Sequence, residues 1–286
     1  MNILPQILMN GLIASSVYGL IALGFNIIYG TVKFFDLAYG VTLVLGGYGM
    51  LYFGKSLGLP IYISIIISLL ICGVFGYLCY RLVYSKLAKR KATNMIYLVA
   101  SLGIFTVVQA IIAILFTSQF QTITTKIGGI VRLGSVVVTN IQITTIFLFV
   151  LISIFCGVLF KFTRLGKAIR AVSDDAEVSS IIGIPTQKII GLVFLLGSIV
   201  GGVAGIMVAY DSGVEPTMGF SLILKGVIAA IIGGVGNIWG GIFGALMLGM
   251  IENLGIWKFS AEWKDIIAFG VLILFLIFRP QGVFKK

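Results

Sequence analysis

Histidine is missing from all 286 residues, and cysteine occurs only three times. The first absence removes the commonest general base and any His/Cys zinc site. Cys72, Cys79 and Cys156 each lie inside an apolar run without CxxC spacing. They read as small core hydrophobes rather than metal ligands or disulfide partners. Charge is also scarce: Asp, Glu, Lys and Arg make up 10% of the chain, against about 25% in an ordinary soluble domain. No GxxxxGK[ST] sequence is present, so this chain has no P-loop to cradle ATP phosphates. A dinucleotide fingerprint fails as well, because after Gly234 and Gly236 the third position is Trp239 and no strand precedes it. The first residues lack a basic n-region and a small-residue cleavage site, so the first apolar run is expected to remain as a span.

What the chain has in excess is apolar surface, at 59% hydrophobic residues. A soluble fold of this length must still face water and could not hide that much. Lipid resolves the mismatch, and an all-α, polytopic membrane helix bundle of about eight membrane segments follows. No Pro/Ser-rich or charge-rich linker divides it, so residues 1–286 are expected to form one transmembrane domain. On a scale of about 20 residues per span, apolar runs fall near 5–29, 60–82, 95–116, 141–161, 189–209 and 264–278. A short glycine-rich run at 37–53 either crosses or re-enters. The run 220–251 is too long for one span and is broken by Gly233-Gly234-Val235-Gly236-Asn237-Ile238-Trp239-Gly240-Gly241.

The net charge of +11 is not spread as a nucleic-acid groove. Lys86, Lys89, Arg90 and Lys91 crowd one connection; Lys161, Arg164, Lys167 and Arg170 crowd another; Arg279, Lys285 and Lys286 close the chain. The positive-inside rule assigns all three to the cytoplasm. The connection 117–140, whose basic residues are Lys126 and Arg132, and the acidic turn Asp211–Glu215 then lie outside. A single crossing by 220–251 would deliver the basic C-terminus to the wrong side. The run is therefore expected either to enter and return or to cross twice, as two half-helices, about 220–232 and 238–251, with the glycine break at the turn. Broken helices of this kind often sit at transporter binding sites. The side of the N-terminus stays open, because it depends on whether 37–53 crosses.

Glycines recur in steps of four, at Gly197, Gly201 and Gly205 and again at Gly236, Gly240 and Gly244. The plain reading is close helix packing through missing side chains; the sharper one is a thin-walled path. Asn26, Gln109, Lys225, Glu252 and Asn253 are polar residues inside or at the ends of spans, where such groups usually face the bundle interior. Lys225 is as well explained by snorkelling. Glu252 and Asn253 read as interfacial. Asp36 and Tyr39, just ahead of the short glycine-rich run, are placed where a discontinuous helix could meet solute. The translocation path is accordingly assigned to Asn26, Asp36, Tyr39, Lys225, Gly234, Gly236 and Asn237.

In the basic connection 162–188, Asp174 with Glu177 three residues on resembles a capping box, and Gly183 and Pro185 supply a stop. A helix of about two turns, 175–182, is expected; one so short gains stability by docking on something else.

These residues resemble the permease subunits of branched-chain amino acid ABC importers, within the wider group that includes simple-sugar permeases. The likeness runs over nearly the whole chain. It rests on Gly19-Leu20-Ile21-Ala22-Leu23-Gly24 with Ile28-Tyr29-Gly30, on Asp36-Leu37-Ala38-Tyr39-Gly40 with Leu45-Gly46-Gly47-Tyr48, and on Thr163-Arg164-Leu165-Gly166-Lys167-Ala168-Ile169-Arg170-Ala171 followed by Asp175, Glu177 and Gly183-Ile184. It continues in Leu224-Lys225-Gly226 leading to Gly233-Gly234-Val235-Gly236-Asn237, and in the ending Arg279-Pro280-Gln281-Gly282-Val283-Phe284. The second segment departs from the Asn-Phe-Ala-His-Gly common in the family.

The resemblance implies that the short loop helix couples to a cytoplasmic ATPase, with Arg170, Asp174, Asp175, Glu177 and Gly183 at that contact. It further implies a second permease subunit, two ATPase subunits carrying ATP and magnesium, an extracytoplasmic solute-binding protein, a bacterial cytoplasmic membrane, and no cofactor or enzymatic activity in this chain. Competing readings are an ABC permease for sugars, nucleosides or urea, and a secondary transporter or channel without an ATPase. An intramembrane enzyme is disfavoured, since no convincing nucleophile–base pair is present.

Overall fold

The computed structural model describes residues 4–123, 129–134, 136–258 and 260–284. Lys126, Lys285 and Lys286, counted among the charges above, lie outside the described residues. The elements run α1 (Leu4–Val32), α2 (Tyr39–Met50), α3 (Ile61–Lys89), α4 (Asn94–Phe116), β1 (Ile130–Leu133), β2 (Val136–Thr139), α5 (Asn140–Phe162), α6 (Arg164–Asp174), α7 (Ala176–Ile181), α8 (Thr186–Asp211), α9 (Met218–Gly233), α10 (Ile238–Ile256) and α11 (Lys264–Phe278). Six of these helices are long and apolar enough to cross a membrane. All five prolines, at 5, 60, 185, 216 and 280, fall within two residues of a helix end, where a missing N–H costs nothing. The helix interiors therefore keep an unbroken hydrogen-bond ladder, as a chain in lipid must.

Burial separates an inner from an outer layer. In α1, 83% of the most apolar window is buried inside the protein, but in α4 only 17%. α1 is the central rod, packed by α8, α9 and α10, while α3, α4 and α5 turn large apolar side chains outward. Close approach between inner helices depends on glycine. A methyl group on Gly205 would overlap the carbonyl of Leu43 in α2, and one on Gly244 would overlap that of Ala229 in α9. The glycine steps thus serve packing, apart from Gly236, which sits in a turn rather than on a helix face.

Contacts define two ends. At one, Gln6 exchanges two hydrogen bonds with Val137 of the β1–β2 hairpin, and the ammonium of Lys55 donates to Thr122 O at 2.5 Å. At the other, Lys33 donates to Asp174 O at 3.4 Å, Tyr77 and Tyr80 of α3 meet Gly191 of α8, and the C-terminal tail adds Val283 N to Ile232 O at 2.9 Å and Phe284 N to Gly233 O at 3.0 Å. The basic clusters therefore share one end with the glycine break, in agreement with the sign of the flanking charge, and Leu4 lies at the opposite, hairpin end. The run 37–53 passes from the basic end to the other: α2 and the wider turns of Leu51–Ser56 carry the chain to Lys55 at the hairpin end. The hairpin itself has no counterpart among the sequence-based expectations.

The run 220–251 forms α9 and α10, an antiparallel pair broken at the glycines as expected, but α10 at 19 residues is a full-length apolar helix rather than a half-helix, and the break lies at the basic end. Between them Gly234 (φ 109°) and Gly236 (φ 82°) take up left-handed backbone that residues with a Cβ rarely adopt.

Candidate functional site

The connection at the basic end is more structured than a single two-turn helix. Thr163 caps α6, its hydroxyl oxygen accepting from Gly166 N at 3.0 Å. One face of α6 is apolar: Ile169 and Val172 are buried, and the Ser173 hydroxyl donates to Gly30 O at the end of α1. The chain then leaves helical geometry at Asp175 (φ −150°, ψ 112°). Asp175 Oδ1 accepts from Glu177 N at 2.8 Å and Val178 N at 3.0 Å. The N-cap is thus Asp175 and not Asp174, which closes α6, and α7 spans Ala176–Ile181 rather than 175–182. Glu177 places its negative charge in the first turn, on the favourable side of the helix dipole. The other end closes on Gly183 (φ 88°), with Ile184 N bonded to Ser179 O and Gly183 N to Ser180 O at 3.0 and 3.1 Å. That is a Schellman stop.

Capped on both sides, α7 buries only Ser179. Val178, Ile181 and Ile182 are 54%, 79% and 68% exposed, although this segment lies beyond the spans, beside the basic residues. Sequence reasoning finds the C-terminal stop, puts the N-cap one residue early and misses these three apolar side chains, whose adjacency to a charged loop is the available signal. Arg170 stands apart from α7 and lines a cavity instead.

Two cavities follow α1. One, of about 470 Å³, faces the basic end and is lined by Asn26, Gly30, Phe160, Arg170, Gly236 and Trp239 among others. Asn26 fixes its roof: Oδ1 accepts from Gly236 N at 2.9 Å and Nδ2 donates to Asn237 O at 3.1 Å. Asn237 in turn caps α10 through Gly240 N at 3.1 Å. The second, of about 450 Å³, faces the hairpin end and is bordered by α1 (Asn10, Val17, Tyr18), α5 (Gln142, Thr145) and residues of α8 to α11. Between these stretches of α1, the ring of Phe149 from α5 covers Gly19, where a methyl group would overlap it.

The assigned path residues do not form one continuous lining. Asn26, Gly236 and Asn237 border the basic-end cavity and Lys225 the hairpin-end cavity. Gly234 is packed against the backbone of Phe284. Asp36 and Tyr39 are buried anchors: Asp36 accepts from Tyr84 Oη at 2.6 Å and Ala38 N at 3.0 Å, and Tyr39 Oη donates to Ile21 O at 3.1 Å. The crevice beside them has no room for a water molecule.

Glu252, read from sequence as interfacial, is fully buried at 0% exposure. Its Oε2 accepts from Tyr18 Oη at 2.7 Å, with Lys225 Nζ 3.9 Å from Oε1 and Lys264 Nζ 4.0 Å from Oε2. Lys225 also pairs with Asp265 at 3.0 Å and lies 5.5 Å from the Tyr18 ring centroid. It is therefore not snorkelling. An acid inside an apolar run is a sequence-level warning, but its partners come from α1, α9 and α11.

Residues 7–276 match the family described as branched-chain amino acid transport system / permease component. The chain belongs to that family. It is a multi-pass membrane permease component. A permease protein of Pseudomonas aeruginosa named BraD, described as high-affinity branched-chain amino acid transport, is 31% identical over 98% of this chain and 95% of its own length. The corresponding protein LivH of Escherichia coli is 28% identical over the same shares. An autoinducer 2 import system permease, LsrC of Photorhabdus laumondii, is 30% identical but over 51% of this chain and 46% of its own. Among solved structures, PsaBC from Streptococcus pneumoniae in complex with Fab shares the fold, with a TM-score of 0.54 at 14% identity over 98% of this chain and 93% of that one.

Proposed function

We propose that this chain is a membrane-spanning subunit of an ATP-driven importer for branched-chain or related hydrophobic amino acids in the cytoplasmic membrane. ATP and magnesium belong to two separate ATPase subunits, a second permease subunit completes the path, and an extracytoplasmic protein delivers the solute. The basic end faces the cytoplasm, so the C-terminus is inside and Leu4 and the β1–β2 hairpin are outside; the positive-inside rule supports this orientation.

The observation that carries the reading is α7: a short helix, capped at both ends, with three exposed apolar side chains at the basic end. A helix this short is held by its caps and by what it docks on, and an apolar patch beyond the lipid suits a groove on a partner. ATP binding then favours one arrangement of the bundle by gripping α7 differently in the two states. The hairpin-end and basic-end cavities, separated at Phe149, are the two halves of the route.

The test is uptake of radiolabelled leucine into proteoliposomes that hold the permease pair, both ATPases and the binding protein. Leucine accumulation that requires ATP supports the reading. Uptake without the ATPase subunits would show a secondary transporter or channel. ATP-driven uptake of a sugar in place of leucine would move the chain to the sugar branch that the LsrC likeness represents.

A further inference from the structure

The hairpin-end cavity carries charges of both signs on opposed elements. Asp211, at the end of α8, lines it together with Gln142, whose Nε2 donates to Asp211 Oδ1 at 3.1 Å. Lys225 of α9 and Lys264 of α11 line it as well. The wall between them is apolar, built by Ile13, Val17, Met207 and Leu222. Its volume of about 450 Å³ falls within the range of roughly 300–1,000 Å³ typical of small-molecule sites.

Lys225 also shows which chemistry its ammonium accepts. Glu252 lies behind it at 3.9 Å, while the largely exposed Asp265 presents a carboxylate to it at 3.0 Å. Of the two, only Asp265 can be exchanged, since Glu252 is fully buried with partners from α1, α9 and α11. A carboxylate arriving through the cavity competes with Asp265 for the same ammonium.

We infer that this cavity is a solute site inside the permease that reads both charged groups of an amino acid: Lys225 and Lys264 take the α-carboxylate, Asp211 with Gln142 takes the α-ammonium, and the apolar wall takes an aliphatic side chain. The assignment rests on the functional reading above and adds the site and its recognition rule. It requires a zwitterion. A molecule of the same shape lacking either charge forgoes one charge-assisted contact, at Asp211 or at Lys225, which weakens binding by roughly tenfold.

The assembled transporter in lipid nanodiscs, without the solute-binding protein, isolates this site. Val17→Cys places a thiol in the cavity wall, and the native Cys72, Cys79 and Cys156 are buried. Alkylation of the new thiol is followed in the presence of L-leucine, 3-methylbutylamine or 4-methylpentanoate. These share the aliphatic group and carry both charges, only the cation or only the anion. Protection by leucine alone is expected. Lys225→Met and Asp211→Asn are expected to raise the half-protecting leucine concentration by about tenfold or more, and Asp265→Asn, which removes the competitor, to lower it.

Asp211 is exposed and lies outside the buried Glu252 cluster, so its variant remains informative if Lys225→Met fails to assemble. Equal protection by all three compounds, no protection at concentrations that saturate uptake, or unchanged protection in the assembled variants would overturn the assignment. Leucine uptake by the wild-type transporter, measured in parallel with the binding protein, separates the two ideas. Uptake without protection removes the site alone, whereas no uptake removes the functional reading and the site with it.

Discussion

The ring of Phe149 rests on Gly19, at the stretch of α1 that parts the cavity facing the hairpin end from the one facing the basic end. Gly19 has no side chain to hold the ring away, so α1 and α5 close against each other there. Phe149→Ala would leave a void costing about 3 kcal/mol and join the two cavities. The expected result is a transporter that still hydrolyses ATP but accumulates less solute per ATP, because solute leaks back. A ratio of uptake to hydrolysis equal to wild type would remove Phe149 from the barrier.

The turn between α9 and α10 depends on Asn26 and on two left-handed glycines. Gly236→Leu would force a side chain into φ 82° backbone and against the Cα of Gly30, 3.2 Å from where its Cβ would stand. Transport is expected to fall by at least about tenfold, with a lowered melting temperature for the membrane-inserted protein. Asn26→Ala removes both bonds to the turn and is expected to cost about 1–3 kcal/mol; fluorescence-detected thermal unfolding in detergent would measure each variant. Wild-type stability in both would show that the turn does not need this clamp.

Burial makes Glu252 sensitive to its partners. Glu252→Ala would take the acceptor from the Tyr18 hydroxyl and one of two carboxylates from Lys225, and is expected to cost about 1–3 kcal/mol. Glu252→Leu combined with Lys225→Met should cost less than the sum of the two single changes, because their mutual interaction is lost only once. Thermal unfolding of the single and double variants provides the cycle, and additive destabilisation would contradict coupling between the two residues.

Much of this architecture is legible in the chain. The last span matches residue for residue, the other long spans differ by a few residues at their ends except α3, which continues to Lys89 rather than ending at 82, and the broken run 220–251 is recognisable because the sign of the flanking charge forbids a single crossing. These features are local or depend on a sum over charge. What escapes depends on partners remote in sequence. Glu252 meets Tyr18 across 234 positions, and Asp36 and Tyr39 face inward because Tyr84 and Ile21 receive them. The shift of the cap from Asp174 to Asp175 has a different cause. The basic segment ahead of it is itself a helix, α6, whose apolar face buries Ile169 and Val172, and Asp174 is used up as its last residue.

Removing the Asp175 cap should loosen α7 without disturbing the spans. Asp175→Ala is expected to cost the helix about 1 kcal/mol and to weaken ATPase association by about fivefold, read by pull-down of the ATPase with the permease. Asp174→Ala, one residue away and not a cap, should change association little. Equal effects from the two would contradict the assignment of the cap.

The central claim is that a separate nucleotide-hydrolysing subunit grips α7. Placing cysteines at Val178 and Ile181 one at a time and forming disulfides in the assembled transporter tests it most directly. The account predicts cross-links to the ATPase whose yield changes between nucleotide-free and ATP-bound states, with Ile181→Asp abolishing ATP-driven uptake. Full uptake by Ile181→Asp, with no cross-link to any ATPase in either state, would contradict it.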